Sequence, residues 1–352
     1  MSEQIKRILE FEKVEASAPC RIDMGGTLDI DTFYYPLKHL GPCTFNIALS
    51  LRTRVTLLPN QNRMVKVSSK GFKSAEYLLP AAPFNHPLGL IFAVAAFFGA
   101  EGVHIIIDSS SPPRSALGGS SVAAVALVAA FAKASGQIKA LTAGARKKIA
   151  LLAQRLEVSV AGVPCGLQDQ LAAVYGGVNA WYWQADLKGT NFKRKAIFRK
   201  HGLKKIERHL LLAYCGVPHE SKNINTKWVR QFLVGRNRDF WEEISICTEK
   251  FVRAIQGRNF RDAVVSMNME TAIRRRMTPD VLDELGNKLV DSAIKNNCGA
   301  RFAGAGGGGS IWALGDLEDI DKLKGSWETV LSERKGAGLL EVHIDPEGLR
   351  FD

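Results

Sequence analysis

Strand-like runs alternating with helices over the first half, helices grouped in the second, and a length of 352 residues predict an α+β fold of two domains. Residues 52–59 (RTRVTLLP) and 64–69 (MVKVSS) alternate with period two and carry β-branched side chains, so both read as strands. Residues 102–110 (GVHIIIDSS) form a short, continuously apolar strand, and the Ala- and Val-rich stretch 120–135 reads as one buried helix. A basic amphipathic helix follows over 144–158, then a strand over 176–183. Charged and loop residues accumulate over 188–202, which places the boundary between a domain of residues 1–195 and one of 196–352. Helices are expected at 222–234, 239–256, 259–270 and 279–297, strands on either side of a glycine tract at 299–314, and a closing strand at 339–345.

Composition narrows the function classes. With 46% hydrophobic and 23% charged residues, the chain is neither disordered nor collagen-like. A net charge of +12 suits anionic ligands, small or polymeric. The densest basic run, 193–209 (KRKAIFRKHGLKKIERH), lacks the aromatic spacing of an RNA-binding sheet and matches no zinc finger or basic zipper. It reads as a solvated face, and no nucleic-acid partner is expected. Six cysteines without a CxxC pair argue against a metal cluster and suit a reducing cytosol. The most apolar run, 88–100, is too short to span a bilayer, and the opening residues lack an apolar signal core. A cytoplasmic protein with no membrane partner is expected; the sequence does not decide between a monomer and a homo-oligomer.

Four segments carry chemistry. In the first, 111–125 (SPPRSALGGSSVAAV), small residues and glycines stand at the mouth of a helix. Uncovered N–H groups and the positive end of the helix dipole attract phosphate there, although a plain N-cap serine would look the same. The second, 299–314 (GARFAGAGGGGSIWAL), satisfies G-x-G-x-x-G at Gly304, Gly306 and Gly309, but a strand follows where a dinucleotide fold needs a helix. It reads instead as a loop allowing close backbone approach. No Walker-type phosphate loop exists in the chain. The third, 155–177 (RLEVSVAGVPCGLQDQLAAVYGG), holds Asp169 at a turn-to-helix junction and Glu157 at a helix end, where an anion is disfavoured as a structural partner. The fourth, 17–37 (SAPCRIDMGGTLDIDTFYYPL), sets Arg21 beside Asp23, Asp29 and Asp31, a turn suited to vicinal hydroxyls.

In this order the segments resemble the GHMP kinase superfamily of galactokinase, homoserine, mevalonate and phosphomevalonate kinases. Ala18-Pro19-Cys20-Arg21 with Gly25-Gly26-Thr27-Leu28-Asp29 is similar to the first motif, Pro113 to Ala124 to the second, and Gly304 to Ser310 to the third. The segments RID…GGT, GLQDQLAAVYGGVN, RRRMTPDVLDELGNKLVDSA and EVHIDPEGLRF resemble the D-glycero-D-manno-heptose 7-phosphate kinase and L-fucose kinase branch.

That resemblance implies a ribosomal-protein-like N-terminal domain and a ferredoxin-like C-terminal one, with the active site in the cleft between them. It implies a kinase using ATP and Mg²⁺ to phosphorylate the anomeric C1 hydroxyl of a sugar or sugar phosphate, a heptose 7-phosphate first and fucose or galactose next. The alternative is a catalytically weak relative that binds nucleotide or sugar.

The residue roles follow from the same resemblance. Asp169 matches the catalytic aspartate and Arg21 the arginine beside it. Pro113, Ser115, Leu117, Gly118, Gly119, Ser120, Ser121, Gly306 and Gly307 would hold the nucleotide. Ser121, with Ser120 as alternative, and Glu157 would ligate the metal. Asp29, or Asp31 in its place, would contact the sugar with Thr27 and Gly177. Arg274, Arg275, Arg276 and Lys222 are candidates to clamp a phosphorylated acceptor. Three departures mark this chain: Cys20 replaces a glycine, the spacing from Arg21 to Asp29 is one residue short, and the phosphate loop reads Ser-Ala-Leu-Gly-Gly where the family has Gly-x-Gly-Leu-Gly.

Overall fold

The computed structural model describes residues 2–162, 164–185, 191–218 and 221–352, and for the side chains at 2 and 221–223 no placement is given. Two sheets form its frame. The first contains β1 (Val14–Met24), β2 (Cys43–Pro59), β3 (Met64–Ser69), β4 (Ala75–Leu78), β5 (Val103–Ser109), β6 (Val178–Trp183) and β7 (Phe192–Ala196). The second contains β8 (Leu210–Tyr214), β9 (Gly299–Phe302), β10 (Ser310–Leu314) and β11 (Gly338–Leu339), in the order β11-β8-β10-β9 and antiparallel throughout. The final strand, β12 (Arg350–Phe351), returns to the first sheet and pairs with β1 at Ser17 and Ala16.

β2 organises the first sheet. Its residues 45–48 and 52–57 pair with β1; its first half pairs with β6 and its second with β5. It begins nine residues before the strand expected at 52–59, because apolar residues of CTFNIALS are buried in the core. β3 runs parallel to β5 and antiparallel to β4.

Twelve helices are assigned among the described residues. α1 (Ser2–Phe11), α2 (Asp31–Tyr34), α3 (Gly89–Phe98), α4 (Gly119–Ala134), α5 (Ala143–Ala161) and α6 (Gln168–Tyr175) belong to the first half. α7 (Leu203–Glu207), α8 (Ser221–Leu233), α9 (Arg238–Gln256), α10 (Phe260–Met277), α11 (Glu284–Lys295) and α12 (Leu317–Ser332) follow. α4 is apolar around its circumference and is buried from Ser121 to Ala132, as its Ala/Val composition requires, while Gly119 and Ser120 at its mouth are exposed.

Two expectations are corrected. The helix foreseen over 279–297 is divided: Asp283 caps α11 by accepting from the Gly286 N–H, and a short 3-10 turn precedes it. The closing strand foreseen at 339–345 is mostly irregular. Leu339 ends β11 and Ile344 makes an isolated bridge to Leu49; Asp345 then turns the chain by accepting from the N–H groups of Glu347 and Gly348. The compositional boundary at 188–202 lies partly outside the described residues, at 188–190.

Candidate active site

Arg21 lies on β1 just past a register shift between Pro19 and Arg21. Such an irregularity re-aims a side chain, and here the guanidinium meets Asp169 in the first turn of α6. Nε donates to Oδ1 at 2.7 Å and Nη2 to Oδ2 at 2.9 Å, a two-pronged pair. Nη1 donates to the Ala116 carbonyl at 2.7 Å, and the Arg21 N–H donates to the Leu117 carbonyl at 3.1 Å. Burial works against the Arg21 charge, but Asp169 and Asp23 outweigh it and push the pKa up. The Asp169 side chain keeps 22% of its surface accessible, against 4% for Arg21, so the carboxylate is the more exposed member of a pair whose two residues both line the cavity.

β5 delivers the chain to the loop at 110–118 and the N-terminus of α4. The rearranged glycines identified in the sequence are accommodated by left-handed backbone at Arg114 (φ 54°) and Ala116 (φ 64°), with Gly118 (φ 82°) as the N-cap. No side chain caps α4, and the residues of its first turn, Gly119, Ser120 and Ser121, line the cavity. The dipole end of a 16-residue buried helix therefore opens onto that space.

Both serines turn to Glu157 of α5. Ser120 Oγ donates to Oε1, Ser121 Oγ donates to Oε2 at 2.7 Å, and Gln170 Nε2 donates to Oε2 at 2.7 Å. Burial raises the Glu157 pKa, and the two hydroxyls offset part of that. α5 runs three residues past the expected 158, so Glu157 sits in its last turns. The Gln170 Oε1 atom is buried with no hydrogen-bond partner in the structure.

Asp29 is buried and lines the cavity; its Oδ2 accepts from the Gln168 N–H at 2.9 Å. Burial dominates its titration and pushes its pKa up to about 7, although that N–H bond pulls the other way. Thr27, at φ 81°, shares this wall. The two acids left open by the sequence are thereby separated: Asp31 is exposed at the start of α2 and lies outside the cavity wall.

The cavity has a volume of about 430 Å³. Arg21, Thr27, Asp29, Pro113, Ser115, Gly118 to Ser121, Glu157 and Asp169 all face it. Besides Asp31, four expected residues do not. The Leu117 side chain is fully buried in the hydrophobic core and only its carbonyl serves the site. Gly177 is a turn residue that donates to the Asp345 carbonyl. Gly306 lies so close to Val281 that a side chain is excluded, and the Gly307 N–H donates to the Val281 carbonyl; Gly304 and Ala305 are the tract residues on the wall.

The phosphate-clamp candidates are corrected too. Arg274 is fully buried on Glu270, while Arg275 pairs with Asp291 and Arg276 with Glu243 at the surface. The Lys222 side chain lies outside the described residues. The sequence reading missed Lys70 and Asn225 on the wall, and an apolar side formed by Phe72, Leu88, Ile91 and Ile107. It also missed the partners of Asp23, Arg301 and the Gly304 N–H, because neither pairing has a local spacing.

Residues 85–177 match the family described as GHMP kinases N terminal domain. No curated protein matches the chain. Among solved structures, a Bacteriodes thetaiotaomicron D-glycero-D-manno-heptose 1-phosphate kinase superposes with a TM-score of 0.70 at 16% identity, covering 96% of this chain and 98% of its own. Lactococcus lactis galactokinase complexed with galactose gives 0.73 at 16% identity, covering 99% and 98%. Streptococcus pneumoniae phosphomevalonate kinase, in complex with phosphomevalonate and AMPPNP, gives 0.72 at 14% identity, covering 94% and 99%. At these identities the superpositions establish a shared two-domain fold, in keeping with the resemblance drawn from the motifs.

Proposed function

We propose that this chain, which has the GHMP kinase fold and matches that family's N-terminal domain, is an ATP-dependent kinase acting on the anomeric C1 hydroxyl of a sugar or sugar phosphate. A heptose 7-phosphate is the first acceptor to test and fucose or galactose the next. The observation that carries this reading is the convergence, on one cavity, of an uncapped helix N-terminus, the Arg21–Asp169 pair and the Ser120–Ser121–Glu157 cluster. Phosphoryl transfer asks little of a protein beyond positioning and neutralising charge, and these groups supply both.

In this scheme the triphosphate lies at the α4 N-terminus, beside Arg114 and Lys70, with the base against Phe72, Leu88, Ile91 and Ile107. Asp169 accepts the acceptor's hydroxyl proton; Arg21 orients it and offsets charge as phosphorus is attacked. Asp29 and Thr27 bind neighbouring hydroxyls. The metal donor set fits magnesium in kind: one buried carboxylate, two hydroxyls and the unpartnered Gln170 Oε1 are all hard oxygens. Glu157 with Ser121, or Ser120, would hold Mg²⁺, which when bound draws charge from the β- and γ-phosphates. Among the described residues no group of three or more His, Cys, Asp or Glu side chains could hold a metal by itself, so a cation held by Glu157 and a serine would need further oxygen ligands from a bound nucleotide or water.

The test is ATP consumption with heptose 7-phosphate, fucose, galactose, arabinose and mevalonate, beside Asp169→Asn. Turnover reduced by about 10²–10⁴-fold in the variant, with nucleotide binding kept, is expected. Tight ATP binding without turnover on any acceptor would instead make the chain a nucleotide-binding relative.

A further inference from the structure

We propose that Glu270 and two arginines form a buried clamp through which α10 and β9 hold both halves of the site. Through Arg301 and Asp23 it positions Arg21 and Asp169; through Arg274 it positions the acceptor turn at Thr27 and Asp29. The kinetic readout of this clamp rests on the kinase reading above; its geometry does not.

Glu270 lies on α10 and is fully buried, as are Arg274, Arg301 and Asp23. Glu270 Oε2 accepts from Arg301 Nε at 2.9 Å, and Oε1 accepts from Arg274 Nε at 2.9 Å. Each arginine then crosses to β1 or the turn that follows it. Arg301 Nη1 donates to Asp23 Oδ2 at 3.0 Å and to the Asp23 carbonyl at 3.2 Å. Asp23 Oδ1 accepts from the Gly304 N–H at 2.6 Å and lies 3.6 Å from Arg21 Nη1. Arg274 Nη2 donates to the Gly26 carbonyl at 2.6 Å, one residue before Thr27.

One chain of alternating charge thus runs from Asp169 through Arg21, Asp23, Arg301 and Glu270 to Arg274, three anions against three cations. The Arg274 guanidinium also sits in the corner formed by the nearly perpendicular rings of Trp228 and Trp241, its carbon 4.6 Å from each ring centroid, which restrains the arm. Burying ion pairs is a poor way to gain stability, since apolar side chains of the same volume often do as well. What the pairs add is directional: Asp23 and Glu270 each aim their two oxygens at two different arginines, so a shift of α10 would move Arg21 and the Gly26 turn together.

The two arms predict opposite kinetic signatures. Arg301→Met lowers kcat at least tenfold on the best acceptor, with the acceptor KM changed less than threefold. Arg274→Met raises the acceptor KM about tenfold, with kcat changed less than threefold. A merely structural role lowers the melting temperature in both variants without this division. The clamp is overturned if either folded variant keeps both parameters, or if both variants change both parameters alike. Should a Met variant fail to fold, the Lys variant at that position keeps the charge but cannot reach two acceptors, and the same division decides. If the wild-type chain turns over none of the acceptors, the kinase reading fails. The clamp is then judged by the NMR resonance of Arg21 Nε–H, identified by its loss in Arg21→Lys: displacement in Arg301→Met, or in Arg301→Lys where the Met variant does not fold, supports it, and an unmoved signal overturns it.

Discussion

Gly166 presents its bare α-carbon to the Asp29 carboxylate: a Cβ built there would lie 1.7 Å from Oδ2. The residue preceding α6 by two therefore sets the position of Asp29, the proposed acceptor-binding acid. Gly166→Ala has no small adjustment open to it, because Asp29 is also tied to the Gln168 N–H. The acceptor KM is expected to rise more than about tenfold, a loss of about 1.4 kcal/mol or more, while ATP affinity stays within about twofold. An acceptor KM unchanged in the folded variant would remove Asp29 from the acceptor site.

Asp29 also predicts a pH dependence. Its pKa is raised in the fold from the ordinary 3.8 to about 7, so between those values the folded state binds the proton that the unfolded chain has released. The unfolded state then binds fewer protons, and stability contributed by this group falls as pH rises from about 4 to about 7. Urea unfolding midpoints of wild type and Asp29→Asn, compared at pH 4 and pH 7, should show the larger fall in the wild type. The difference between the proteins isolates Asp29 from Glu157, whose pKa is shifted in the same direction.

Glu157→Gln removes the carboxylate that the proposed metal needs while leaving a side chain that Ser120, Ser121 and Gln170 can still meet. Affinity for MgATP should fall about tenfold or more, and affinity for ATP measured in EDTA should stay nearly constant. Equal losses with and without the metal would place Glu157 outside metal binding. In the wild type, the raised Glu157 pKa makes metal affinity increase with pH, since the cation competes with a proton.

Arg114 is exposed and left-handed at φ 54°, a conformation costing a side-chain residue about 1–2 kcal/mol. Arg114→Gly relieves that strain and gives the unfolded chain more freedom, so the net gain in stability should not exceed about 1 kcal/mol. The same change removes a cation from the cavity wall. Calorimetry should show an unchanged or slightly raised melting temperature, and titration should show weaker ATP binding.

What the sequence made legible has a physical pattern. The α4 mouth, Glu157 and Asp169 were readable because each belongs to a short segment whose local spacing limits its geometry. β1 was hidden inside an acid-rich turn, since a strand buried along nearly its whole length shows no alternation. Asp23 and Arg301 are separated by 278 positions, and no spacing rule joins such residues. The glycine tract was readable as a place of close approach, but which glycines meet ligand and which meet Val281 depends on how two loops dock. The closing segment failed for a related reason: Asp345 diverts it through its own turn and a salt bridge to Arg52.

β12 gives the architecture a consequence for motion. The chain leaves the first sheet after β7, builds the second sheet and its helices, and returns to lie beside β1. The second unit is therefore an insertion strapped at both ends, through residues 197–209 and 340–349. Between those two crossings the segment is also pinned side by side to the first sheet, by Arg301 on Asp23, Arg274 on the Gly26 carbonyl and the burial of Phe251 and Trp312 in one core with Phe45. Cutting either strap would therefore free a chain end without freeing the second sheet from the first.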